Sequence, residues 1–170
     1  MSTDNKYYIG IDIGKKGGIF IKPPSGIGHT LACEMPCIGK ELDYLSLCKL
    51  LEPYRLQNTL VIFEKLGVIY GTSKSTAFSM GTQCGAVEML CTALSLPYVK
   101  VHAKTWQKEM FKGVGEIRKL NGSRDTKAMA LSAIKQIMPS QKLIVGRAKK
   151  EHDGIVDAAL LSEYAARKEL

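Results

Sequence analysis

Near its start the chain carries an apolar run, Tyr7-Tyr8-Ile9-Gly10-Ile11-Asp12-Ile13-Gly14, with isoleucine at every second position. That alternation of β-branched residues predicts a core strand. Lys15 to Gly18 predict a tight turn, and Gly18 to Lys22 a returning strand that Pro23 and Pro24 end. His29 to Met35, bounded by Gly28 and Pro36, predicts a third strand. From Lys40 to Tyr54, Leu42, Leu45, Cys48 and Leu51 recur at helical spacing, with Pro53 near the end. Asn58 to Glu64 is a continuous apolar run closed by a carboxylate, the pattern of a strand buried on both faces.

Gly67 to Thr72 reads as a loop, and Ser73 to Ser95 as a long helix. Its small residues Ala77, Gly81, Gly85 and Ala86 permit close helix approach, within the molecule or between two copies. Pro97 to His102 predicts a fifth strand and Lys104 to Lys112 a short helix holding the chain's one tryptophan, Trp106. A Gly-containing basic loop follows at Gly113 to Ser123, then a helix from Arg124 to Met138, a second basic loop from Gln141 to Lys150, and a last helix from Asp153 to about Lys168. Three meander strands followed by helix-separated strands predict an α/β fold: a mixed five-stranded sheet, three antiparallel strands then two parallel, flanked by helices. Strands one and four can then lie side by side and parallel, bringing Asp12 near Glu64.

Composition narrows the class. At 170 residues, 45% hydrophobic and 24% charged, with no repeat or linker, the chain is expected to form one domain over residues 1–170. No membrane span and no secretory leader are visible, so a cytoplasmic protein (bacterial or from a phage-infected host) or an organellar one is expected, not a secreted one. The five cysteines are odd in number and lack CxxC pairs, which fits reduced thiols; Cys33, Cys37 and His29 have no second ligand pair, so zinc is not expected. Net charge is +8. It is concentrated: residues 99–150 hold thirteen Lys/Arg against Glu109, Glu116 and Asp125, a net of +10, leaving −2 for the remainder. That points to a polyanionic partner.

Asp12 is the anomaly in the first strand. An ionised carboxylate in a core strand costs several kcal/mol of desolvation unless donors or a cation compensate it. It either caps the Gly-rich turn after it or belongs to a site. The last helix supplies partners, because Asp153 and Asp157, four residues apart, share one helical face where like charges repel. Asp153 in the first turn could be a cap; Asp157 faces a very apolar helix and is harder to explain structurally. Four carboxylates without matching basic neighbours suit hard divalent cations. Two such ions about 4 Å apart would support in-line phosphodiester hydrolysis. A basic region beside an acidic pocket makes nucleic acid the expected substrate.

Taken in order, Ile9-Gly10-Ile11-Asp12, Val61-Ile62-Phe63-Glu64-Lys65, residues 73–81, Thr105-Trp106-Gln107-Lys108 and residues 152–161 resemble the RuvC-type Holliday junction resolvases, nearest the compact phage and organellar members. The resemblance spans about residues 7 to 167 and implies an RNase H-like fold. It also implies a homodimer with two active sites that nicks four-way DNA junctions in symmetric pairs with Mg²⁺ or Mn²⁺, in recombination and repair. Asp12, Glu64, Asp153 and Asp157 would then be the catalytic metal ligands. Some members carry histidine three residues before the last aspartate, where this chain has Gly154. Asp153 is therefore the expected ligand, and His152 either supports the ligands from behind or simply leads the helix.

The candidates for DNA contact are Lys15, Lys65, Lys74, Lys104, Lys108, Lys112, Arg118, Lys119, Arg124, Lys127, Arg147, Lys149 and Lys150, chiefly positioning phosphates. Ser73 and Ser75 could touch phosphates or cap the second helix. Family members place an aromatic residue after the strand-four glutamate to stack on an opened base. Tyr70 is the nearest aromatic here and Leu66 stands closer; either could also be a packed loop residue. Trp106 is expected in the core. Competing readings are a monomeric nuclease of YqgF type acting on RNA or other branched or nicked DNA, and a junction-binding protein with structural carboxylates. A lobe of a sugar kinase is disfavoured by length and by the lack of a second phosphate loop.

Overall fold

The computed structural model describes residues 5–25, 29–39, 41–67, 71–141, 143–144 and 150–170. Its strands are β1 (Tyr7–Asp12), β2 (Gly18–Lys22), β3 (Leu31–Glu34), β4 (Cys37–Ile38), β5 (Glu41–Leu42), β6 (Thr59–Glu64) and β7 (Tyr98–Val101). Five of them form the main sheet, in the order β3-β2-β1-β6-β7. β1 pairs antiparallel with β2, and β2 with β3. β1 pairs parallel with β6, Ile11 opposite Phe63, and β6 parallel with β7. The expected mixed sheet is therefore present. β4 and β5 form a small separate hairpin that the sequence pattern does not predict.

The helices are α1 (Tyr44–Leu51), continued by a 3₁₀ turn at Glu52–Tyr54, then α2 (Lys74–Ala93), α3 (Ala103–Met110), α4 (Thr126–Ile137) and α5 (Asp153–Arg167). α1 starts at Tyr44 rather than the expected Lys40. Asp43 stops it there by accepting a hydrogen bond from the Ser46 amide at 3.0 Å, and the preceding residues are used by the β4–β5 hairpin. Ser73 caps α2 by accepting from the Thr76 amide, the structural one of its two expected roles.

Side chains on successive strand residues point to opposite faces, and this sorts the core into two layers. Ile9, Ile11, Ile19, Ile21, Val61 and Phe63 join one cluster with residues of α1 and α2. Tyr8, Phe20, Leu60 and Ile62 join the other, with α3, α4 and α5. Each fully buried aliphatic or aromatic side chain contributes roughly 1.5–3 kcal/mol. The same alternation puts Asp12 and Glu64, in step with Tyr8 and with Leu60 and Ile62, on the α5 face. Among the described residues no helix is long and apolar enough to cross a membrane.

Candidate active site

Asp12 and Glu64 are the last residues of two adjacent parallel strands in the middle of the sheet, so their carboxylates leave one face at the C-terminal ends of these strands. α5 covers that face in direct backbone contact. A Cβ on Gly10 would lie 1.9 Å from the Ala158 carbonyl oxygen, and one on Gly18 2.6 Å from the Ile155 nitrogen. A Cβ on Gly154 would lie 2.5 Å from both the Gly17 carbonyl carbon and the Lys16 oxygen, and Gly17 and Gly154 form a parallel bridge. Only glycine fits these places. No side chain can stand at 154, and the first acid of α5 is Asp153, one residue earlier. Asp153 is exposed in the first turn, and Asp157 sits one turn inward, half-buried.

Burial, then Asp157 and then Glu64, pushes the Asp12 carboxyl up to about 7, against a smaller lowering by Lys127. Burial, then Glu64 and then Asp153, likewise pushes Asp157 up to about 7. Glu64 thus acts on both Asp12 and Asp157, Asp157 acts on Asp12, and Asp153 acts on Asp157. The turn after β1 closes on its own backbone, Gly17 N–H to the Gly14 oxygen at 2.9 Å, so it does not use the Asp12 carboxylate for this bond.

Two neighbours of the acids have roles that the sequence pattern does not predict. Lys127, a candidate for DNA contact, gives the acids a basic partner: it projects from α4 and donates to Asp153 Oδ2 at 2.7 Å. The nearby acids raise the affinity of its amine for its proton, chiefly through this bond. Trp106 is fully buried in the core, as expected, yet its indole Nε1–H donates to Glu64 Oε1 at 2.8 Å. Its only chemical signal in the sequence is that of a lone tryptophan whose polar edge needs an acceptor.

One lysine against four carboxylates leaves an excess of hard oxygen donors, the donor set that suits a divalent cation. Among the described residues, no three His, Cys, Asp or Glu side chains are already drawn together as ligands of one ion. His152 leads α5, with its Nε2 3.7 Å from Glu34 and its buried Nδ1 without a hydrogen-bond partner among the described residues.

A groove of about 600 Å³ lies between α3 and the start of α4, lined by Lys104, Gln107, Lys108, Arg124, Phe111 and Met129 among others. Lys104 and Lys108 stand one turn apart on α3. Of the other basic candidates, Lys15, Lys65, Lys74, Lys119 and Lys150 are exposed, as is Ser75. Lys112 and Arg118 are also exposed, in ion pairs with Glu109 and Glu116 at 2.9 Å. Leu66 is 38% exposed. Tyr70, Arg147 and Lys149 lie outside the described residues. α2 adds an exposed apolar surface beyond its small-residue pattern, Phe78 at 77% and Met89 at 68% exposure.

No protein-family model matches the chain, and no curated protein matches it in sequence. Among solved structures 26 chains match. The structure of Thermus thermophilus RuvC is 16% identical with a TM-score of 0.59, covering 96% of this chain and 96% of that one. T. thermophilus RuvC in complex with Holliday junction substrate is 16% identical with a TM-score of 0.63, covering 96% and 94%. At this identity the likeness is one of fold, and the fold is the RNase H-like fold of RuvC.

Proposed function

We propose that this chain, built on the RuvC fold, is a metal-dependent endonuclease that resolves four-way DNA junctions by paired, symmetric phosphodiester hydrolysis. The observation that carries the reading is that Asp12, Glu64 and Asp157 act on one another at the C-terminal ends of β1 and β6 under α5, with Asp153 at the rim, on a fold shared with T. thermophilus RuvC in complex with Holliday junction substrate. Asp12, Glu64, Asp153 and Asp157 would be the ligands. Two Mg²⁺ or Mn²⁺ ions, when bound, would supply a water activated for attack and stabilisation of the leaving oxygen.

The protein's own residues do the rest. Burial and mutual repulsion reduce the charge of Asp12 and Asp157 near neutral pH, and bound cations would draw these carboxylates into their ionised form. Lys104, Lys108 and Arg124 line the groove that seats phosphates, and their charge fixes the strand's register without reading sequence. Lys15 and Lys65, exposed shortly after the two strand-end acids, extend that surface. A homodimer would give two sites for two nicks. Phe78, Gly81, Gly85 and Met89, exposed on one face of α2, supply an apolar surface for that pairing.

The test is cleavage mapping on both strands of a four-way junction, with each ion and with chelator. Paired nicks at symmetric positions are expected, and Asp12→Asn should abolish them while junction binding persists. Normal cutting by that variant removes the metal mechanism. A monomer that cuts single strands as readily as junctions assigns the chain to the YqgF-type reading instead.

A further inference from the structure

We propose that Trp106 is a positioning residue for the active site: its indole N–H fixes one oxygen of Glu64 and leaves the other to face a divalent cation. The inference rests on the reading of Glu64 as a metal ligand. The bond is 2.8 Å long, between a residue with no exposed surface and the acid that ends β6. An indole nitrogen donates only, so it can orient a carboxylate without competing for the ion.

The ring itself has little freedom. It packs edge-on against Phe111 at 6.0 Å and 74°, within the cluster that includes Ile155, Val156 and Leu160 of α5. Glu64 is thereby held by the same packed layer that carries Asp157. A glutamate otherwise free in three torsions would give up that freedom on binding an ion. Asp153 shows the contrast, exposed and held by an exposed lysine side chain.

α3 also carries Lys104 and Lys108, two residues to either side of Trp106. One short helix therefore links the groove to the geometry of Glu64. A strand seated on the lysines and the acid that serves it share one rigid element.

Because the chain has a single tryptophan, indole substitution and indole spectroscopy both report on this position alone. In the ¹H–¹⁵N spectrum of the full-length protein, the one indole cross-peak should shift saturably with Mg²⁺, and Glu64→Gln should displace it and remove that response. Benzothienylalanine at position 106 keeps the ring and replaces N–H with sulfur; Trp106→Phe is a second variant. Each should bind Mn²⁺, followed by electron paramagnetic resonance, roughly 10- to 100-fold more weakly, as loss of an outer hydrogen bond to a ligand does. Circular dichroism checks that both fold. Should Glu64→Gln weaken Mn²⁺ binding while the N–H-deleted protein binds as tightly as the parent, the positioning role is overturned and the ligand reading stands. Should Glu64→Gln itself leave Mn²⁺ affinity unchanged, both fall. An indole peak indifferent to Mg²⁺ in a protein that binds the ion also overturns the proposal.

Discussion

The ammonium of Lys127 donates to Asp153 Oδ2 at 2.7 Å, so the acidic cluster carries its own cation on α4. Both side chains are more than half exposed, and the pair itself adds no more than about 1 kcal/mol. Its field also reaches Asp157 and Asp12. Lys127→Met is expected to lower the Tm of the metal-free protein at neutral pH by roughly a few degrees. It should also raise Mn²⁺ affinity severalfold, because an incoming ion no longer displaces an ammonium. Calorimetry checks both; weaker ion binding would mean that the lysine supports the ion instead of competing with it.

A pH dependence follows from Asp12 and Asp157. Each carboxyl, near 4 in an unfolded chain, is pushed up to about 7 in the fold. The folded protein therefore holds protons that the unfolded chain has released, and this contribution is full below about pH 4 and lost as pH rises through about 7. In chelator, thermal unfolding should occur at a higher temperature at pH 5 than at pH 8. Saturating Mg²⁺ should narrow or reverse the difference, and Asp12→Asn with Asp157→Asn should flatten it. A metal-free protein more stable at pH 8 than at pH 5 contradicts the assignment.

Gly154 sets the approach of α5 to the β1–β2 turn. Gly154→Ala puts a Cβ 2.5 Å from the Gly17 and Lys16 backbone, which cannot move aside as a flexible side chain can. A loss of about 1–3 kcal/mol in urea unfolding is expected, as for other overpacked positions. Gly154→His, with a larger side chain at the same contact, should be worse and should not strengthen ion binding. An unstrained Gly154→Ala protein would show that the helix does not sit on the turn this closely.

The groove between α3 and α4 predicts a salt signature. Lys104→Ala, Lys108→Ala and Arg124→Ala should each weaken junction binding about equally across sequences. Each should also lower the slope of log affinity against log salt by roughly 0.9 for every phosphate left without its cation. Lys112→Ala and Arg118→Ala, whose side chains already pair with Glu109 and Glu116, should change it less. Fluorescence anisotropy over a salt series separates the two groups.

How much of the fold and site is legible in the sequence varies with the physics involved. Alternation in Tyr7–Asp12 and the apolar run of Thr59–Glu64 depend on local burial, and they suffice to place Asp12 beside Glu64. The two-residue strands β4 and β5 are too short to carry a period, so the pattern starts the first helix too early. Lys127 lies among many basic residues, and only the packing of α4 on α5 turns it toward the acids. Trp106 reads as core and is core. Which acceptor its N–H finds depends on how α3 crosses the sheet, which has no local signature. Gly154 reads as a gap in a pattern until the Gly17 backbone is seen against it.

The glycine contact between the first hairpin and α5 also has a bearing on synthesis. Asp12 and Glu64 emerge from the ribosome long before Asp153 and Asp157, and α5 is the latest of the described elements to be made. A nascent chain lacking α5 has two acids at the ends of its strands and no opposite wall. The four-acid set is thus assembled only when the rest of the sheet and its helices exist to receive α5.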